Sequence, residues 1–239
     1  MAFLLPKSVF IHIPKTGGQW VAAALQNAGL IVGQLGEVHA SPDEIAHESA
    51  FRDRSVVFAI VRHPLTWYQS MWTHRMDEGW DDPINDPDWF SPRWIQTWAD
   101  FNDHCRATTF EDFVRKCARR YPDGWVSMLY DSYTAGCTFI GRQEQLADDL
   151  VKVLDLAGET FQADRIRTTR PQNVRSHRPR KLPCCQYTPD LVELVMKAET
   201  RAIGKFGYEE IPASISMREG NTAFAGIKDG RDRPGPLQT

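Results

Sequence analysis

The sequence predicts an α/β fold of three layers, a central parallel sheet flanked by helices. Apolar, β-branched runs at residues 8–13, 55–61 and 137–140 alternate with stretches of helical periodicity. The strongest run, Ser55-Val-Val-Phe-Ala-Ile-Val61, is apolar without a break, as a parallel strand covered on both faces should be. The residues best suited to hold an anion follow these runs directly. In an open α/β sheet, loops leaving the carboxyl ends of the strands gather around one crevice.

The first element is Ser8-Val-Phe-Ile-His-Ile-Pro-Lys-Thr-Gly-Gly-Gln-Trp20. Val9, Phe10, Ile11 and Ile13 read as a short buried strand ending at Pro14, and Gly17-Gly18 allows a tight turn. Trp20, Val21, Ala24, Leu25 and Ala28 then share one helical face, with Gly29 as a C-terminal cap. A strand, a glycine turn and a helix N-terminus in that order make an anion site, because first-turn N–H groups and the positive helix end point into the loop. Lys15 adds a cation and Thr16 a hydroxyl. Taken alone, the stretch also fits an ordinary strand–turn–helix with a surface lysine.

Leu30–Val32 is the candidate for the next strand, interrupted by Gly33 and Gly36. Ser41, Pro42 and Glu44 form a helix start, with Ser41 as cap, proline at the first helical position and glutamate three residues after the cap. His39 lies two residues before that cap; by itself it fits a satisfied surface residue as well as a site residue. Arg62-His63-Pro64 follows the strongest strand and leads into a helix through Met76. Arg62 and Ser70, eight residues on, can converge on one anion, the guanidinium fork matching phosphate oxygens and the hydroxyl adding a donor.

Residues 77–104 read as an ordered but irregular insertion, with eight acidic residues (Asp77, Glu78, Asp81, Asp82, Asp86 and Asp88 among them), Trp80, Trp89, Trp94 and Trp98, and breaks at Pro83, Pro87 and Pro92. It either covers a pocket, its tryptophans stacking on an acceptor, or packs onto the core. A helix capped by Thr109 follows, then a strand at 137–140, then Gly141-Arg142-Gln143-Glu144 leading into a helix that ends near Gly158. Seven basic residues, Arg175 among them, crowd residues 164–181. Thr188-Pro189 opens the last helix; residues 1–212 form one domain and 213–239 a polar tail.

Composition narrows the function classes. A net charge of −3 gives no global pull toward nucleic acid or an anionic membrane, so any basic site is local. No apolar run approaches the ~18 residues of a membrane span, and the apolar N-terminus lacks the basic region of a signal peptide. Five cysteines without C-x-x-C spacing indicate reduced thiols in the cytoplasm rather than a disulfide scaffold or zinc site. The lysine at 15 precedes its glycines, whereas the G-x-x-x-x-G-K-[ST] loop of common NTPases places it after them, and there is no G-x-G-x-x-G.

With these motifs in order, the chain resembles the PAPS-dependent sulfotransferases, which transfer a sulfuryl group from 3′-phosphoadenosine 5′-phosphosulfate (PAPS). The resemblance is greatest to the carbohydrate-type branch, that of the heparan and uronyl 2-O-sulfotransferases, and its bacterial relatives. His12-Ile-Pro-Lys-Thr-Gly-Gly18 resembles the family's 5′-phosphosulfate loop and Ile60-Val-Arg-His-Pro64 through Ser70 its 3′-phosphate motif. Phe139-Ile-Gly-Arg-Gln-Glu144, Asn173-x-x-Ser176 and Phe206-Gly-Tyr208 resemble later landmarks.

The resemblance implies a P-loop-like fold and a set of roles. Pro14, Lys15, Thr16, Gly17 and Gly18, followed by Gln19 and Trp20, would hold the 5′ end, with Lys15 neutralising the bridging oxygen as its bond breaks. Arg62 and Ser70 would hold the 3′-phosphate, and Arg142 and Arg175 line the same donor. His39 would be the general base, and no metal is needed. The expected partners are PAPS, its product 3′-phosphoadenosine 5′-phosphate (PAP), and a carbohydrate or small alcohol acceptor; nucleic acid is not expected, and oligomeric state is open. Departures from the family pattern are Gln19-Trp20 in place of small hydroxyl residues, His63 for an acidic residue, Trp67 for an arginine, and the unmatched insertion. A kinase-like phosphoryl transferase and a non-catalytic nucleotide or polyanion binder are the alternatives.

Overall fold

In the computed structural model, which describes residues 2–37, 39–80, 92–171 and 185–217, a five-stranded sheet lies between two helical layers. The strands are β1 (Ala2–Leu4), β2 (Ser8–Ile11), β3 (Gly33–Leu35), β4 (Val56–Val61) and β5 (Phe139–Arg142), in the order β3-β1-β2-β4-β5. β2, β4 and β5 are parallel. β1 runs antiparallel to both β2 and β3, so the central parallel sheet that the sequence predicts also carries one antiparallel strand. The cause is the turn between β1 and β2, closed by Leu5 N–H donating to the Ser8 carbonyl at 2.9 Å. A connection that short permits only antiparallel pairing. β3 also starts at Gly33 rather than Leu30, because its register on β1 sets Gly33 opposite Leu4 and Leu35 opposite Ala2.

The helices are α1 (Gly18–Asn27), α2 (Pro42–Ile45), α3 (Ser49–Arg52), α4 (Pro64–Glu78), α5 (Pro92–Cys105), α6 (Phe110–Arg120), α7 (Trp125–Thr134), α8 (Leu146–Leu156), α9 (Ala163–Arg167), α10 (Pro189–Ala198) and α11 (Thr200–Phe206). Strand alternation sorts the core into two halves. Phe10, Phe58 and Ile60 pack with Val21, Leu25, Leu150, Leu154 and Ile166 of α1, α8 and α9. Val9, Ile11, Val57 and Ala59 face the aromatic half, with Trp67, Trp72, Phe101, Phe113 and Trp125. Among the described residues no helix is long and apolar enough to cross a membrane. Cys105, Cys117, Cys137 and Cys185 are free thiols.

Three sequence expectations change. The insertion is not irregular throughout: α5 is a helix of 14 residues. Trp80, Trp94 and Trp98 are buried in the aromatic half of the core, so their faces are closed to an acceptor; Trp89 lies outside the described residues. The last helix divides at Glu199, because that carboxylate is drawn inward. It accepts from Tyr68 Oη at 2.8 Å, Val126 N at 3.0 Å, Ser127 N at 2.7 Å and Ser127 Oγ at 2.8 Å. It thereby caps the N-terminus of α7, whose own cap residue Gly124 has no side chain to do so. A Cβ on Gly124 would collide with the Glu199 carboxylate. The expected tail is held through residue 217: Ile215 is buried and Tyr187 N–H donates to the Ser216 carbonyl at 3.1 Å.

Candidate functional site

β2, β4 and β5 are parallel, so their carboxyl ends share one edge of the sheet. From β2 the chain crosses toward β3, on one side; from β4 it crosses toward β5, on the other. The loops after β2 and β4 therefore part company at a topological switch point, where open α/β sheets bind ligands. Lys15 follows β2, Arg62 follows β4, and Arg142 ends β5 opposite Val61. β3 is parallel to β2, since both oppose β1, and this brings His39 to the same edge.

The β2–α1 loop is held in an unusual shape. Lys15 has φ 66° and Gly17 φ 94°, both left-handed. For a lysine that conformation costs about 1–2 kcal/mol, so the surroundings must impose it. Arg62 Nη1 donates to the Lys15 carbonyl at 3.4 Å and Trp67 Nε1 to the Pro14 carbonyl at 3.0 Å. The Thr16 side chain is fully buried and its hydroxyl donates to the Ile13 carbonyl at 3.0 Å, so that proton is committed inside the loop. The two glycines have different reasons. Gly17 takes the left-handed turn with Leu146 and Gln143 packed beside it, whereas a Cβ on Gly18 would run into the His12 ring. α1 has no side-chain cap, which leaves its N-terminal end to backbone groups alone.

His39 is the other non-glycine residue with positive φ among the described residues, at 61°. Its Nδ1 lies 3.0 Å from the His12 carbonyl oxygen. A carbonyl only accepts, so Nδ1 carries the proton and Nε2 holds the lone pair, the tautomer a base at Nε2 requires. The His12 and His39 rings lie 4.6 Å apart. Burial pushes the His39 imidazole down to about 4; the His12 carbonyl opposes that shift and the Lys15 ammonium adds to it. His12 is lowered well below the ordinary range by burial and by His39. In the sequence His12 only opens the loop motif, with no role of its own; Gly18 is the signal that could have found one.

A second cluster stands on β4 and β5. Arg62 Nε donates to Thr66 Oγ1 at 3.0 Å, and Tyr130 Oη both donates to the Arg62 carbonyl at 2.7 Å and accepts from its N–H at 3.0 Å. Ser70 lies one turn beyond Thr66 on α4 and so shares its face. His63 is fully buried: Nδ1 accepts from Leu65 N–H, so Nε2 donates to the Tyr208 and Glu210 carbonyls, each at 3.1 Å. Tyr208 returns its hydroxyl to Glu144 Oε2 at 3.0 Å, Glu144 Oε1 accepts from His63 N–H at 2.9 Å, and the Arg142 guanidinium lies 5.2 Å over the Tyr208 ring. Gly207, with φ 67°, makes room for Arg142. Burial of His63 lowers its pKa, against the pull of Glu144.

The structure thus brings Pro14, Lys15, Thr16, Gly17, Gly18, His39, Arg62 and Arg142 to one edge of the sheet, with Ser70 on the α4 face that carries Thr66. Gln19 is exposed on the first turn of α1. Trp20 turns elsewhere, its indole donating to the Thr169 carbonyl at 3.3 Å to tie α1 to the segment after α9. Arg175, with Asn173 and Ser176, lies outside the described residues. No family model matches the chain, and no curated protein does. Among solved structures it is similar to mouse sulfotransferase SULT7A1 complexed with PAP, at 14% identity and a TM-score of 0.39, over 87% of this chain and 85% of that one.

Proposed function

We propose that this protein is a sulfotransferase that moves a sulfuryl group from PAPS to a hydroxyl or amine of an acceptor by in-line displacement. One observation carries the reading: three separated motifs meet on one loop. Arg62 reaches the Lys15 carbonyl and His39 the His12 carbonyl, so a cation, a phosphate-type arginine and a base are built around the β2–α1 turn.

The residues suit such a donor. Its 5′ end fits a helix N-terminus without a side-chain cap, preceded by two glycines and a lysine. Its 3′-phosphate fits the Arg62–Thr66–Ser70 face, and Arg142 over Tyr208 adds a cation at the neighbouring strand. When bound, PAPS supplies the activated sulfuryl group. The Lys15 ammonium then offsets charge on the bridging oxygen, and such preorganised donors contribute on the order of 10²–10³ in rate. His39 Nε2 takes the acceptor's proton while Nδ1–H holds the ring on His12. At neutral pH the imidazole is uncharged, with its lone pair on Nε2. A small, weakly charged carbohydrate or alcohol is the acceptor class that the acidic residues of 77–104 favour.

A kinase-like reading needs a carboxylate free to hold Mg²⁺ at a strand end. Glu144 stands at such an end, but both of its oxygens accept hydrogen bonds, from His63 N–H and Tyr208 Oη. Calorimetric titration with PAP against ATP–Mg²⁺ tests the choice. Preferred binding of PAP is expected, and preference for ATP–Mg²⁺ overturns it.

A further inference from the structure

His39 needs more than its own ring contact to hold its place. The Nδ1 bond to the His12 carbonyl fixes the ring from the sheet side, and the His12 ring, seated where Gly18 lacks a Cβ, fixes that carbonyl's neighbourhood. From the helical side, Tyr133 Oη donates to the His39 carbonyl at 2.6 Å. Tyr133 is fully buried in the last turn of α7, and its ring stacks on Trp94 of α5 with centroids 5.0 Å apart and planes 29° from parallel. Its ring is packed against an indole that is itself buried, which restricts the side chain's rotation.

We propose that Tyr133 is a positioning residue for His39: its hydroxyl anchors the His39 carbonyl, and so keeps the left-handed backbone that sets Nδ1 against His12 and leaves Nε2 as the unprotonated nitrogen. This rests on the reading of His39 as the general base. Rotation at residue 39 would swing the imidazole off the His12 carbonyl and free both tautomers. The Tyr133 bond opposes that rotation directly, because it grips the residue's own carbonyl. It also assigns a purpose to the part of the insertion that forms α5: Trp94 backs the tyrosine that holds the base.

The test is Tyr133→Phe, which keeps the ring and its stack and removes one oxygen. Imidazole ¹⁵N–¹H spectra across a pH titration read the tautomer and protonation of His39 in wild type and variant. The groups acting on His39 include the His12 imidazole and carbonyl and the Lys15 ammonium, which the variant leaves unchanged. The wild type is expected to show the Nδ1–H tautomer, and the variant a mixture with its midpoint moved toward the ordinary histidine value. Turnover is expected to fall about ten- to a hundredfold, with the PAP dissociation constant within about twofold. Unchanged His39 spectra overturn the proposal. So does an equal loss of turnover in Leu154→Ala, in the other half of the core, at matched stability, since the effect would then be general loosening. If the wild type binds PAP poorly and turns nothing over, the sulfotransferase reading fails, while the spectra still decide what Tyr133 does.

Discussion

The Trp67 indole donates to the Pro14 carbonyl at 3.0 Å, so the helix after β4 stands beneath the loop after β2. Trp67 is fully buried, where the resembling family commonly carries an arginine. Its indole is a strut that fixes the loop. Trp67→Phe removes that donor and some volume, and is expected to lower stability by about 1–3 kcal/mol. It should also weaken PAP binding severalfold, because the freed loop must be ordered on binding. Urea unfolding and calorimetry read the two effects; an unaltered PAP affinity would show that the strut does not shape the loop.

Lys15 carries a conflict between stability and chemistry. Its φ of 66° suits glycine, so Lys15→Gly relieves strain while adding chain entropy to the unfolded state. Stability is expected to hold or to rise by up to about 1 kcal/mol, while turnover falls by about 10²–10³. A clear loss of stability would mean that the lysine side chain, rather than the site it serves, makes that conformation worthwhile.

Glu199 is the buried carboxylate on which the aromatic half turns. Glu199→Ala leaves Tyr68 Oη, the Ser127 hydroxyl and two backbone N–H groups of α7 without their acceptor. Each unmatched buried group costs about 1–3 kcal/mol and some will find water, so a loss of about 3–5 kcal/mol is expected. Glu199→Gln keeps an acceptor and should cost less. A loss under about 1 kcal/mol in the alanine variant, by urea unfolding, would refute the capping role.

Acid should expose His39. Its folded pKa is about 4 and its unfolded one ordinary, so the folded state binds its proton more weakly. Stability is then fully present above about pH 6.5 and falls as the pH drops toward 4, by no more than about 3 kcal/mol. His12 acts in the same direction. Urea midpoints measured from pH 7 to 4 should fall less steeply in His39→Ala. Saturating PAP should move the His39 midpoint upward, because phosphate charge favours the imidazolium; an unmoved midpoint would place the bound anion away from His39.

The layers and the parallel core were legible because Val56–Val61 and Ser8–Ile11 are apolar on both faces and stand ahead of polar turns. The antiparallel β1 was not, since three residues of strand show no period and only the short turn decides their direction. α7 escaped notice because its cap is Glu199, a residue distant in sequence, while Gly124 at its start reads as a breaker. Lys15, Arg62 and Arg142 stood out as cations after strands. His12, Tyr133 and Tyr130 did not, because a residue that acts by holding another's carbonyl leaves no mark on spacing. His63 looked like a missing acid in the second motif; only the fold shows it stapling Tyr208 and Glu210 to the start of α4.

The seat of the His12 ring against Gly18 makes positions 12 and 18 a single steric unit. A methyl group at 18 has no room unless the imidazole leaves, so Gly18→Ala should be tolerated far better alongside His12→Ala than alone. Relatives that carry a side chain at 18 are expected to carry a small residue at 12. Variation at one of these positions is thereby licensed by the other, and a library built on this loop must draw the two together.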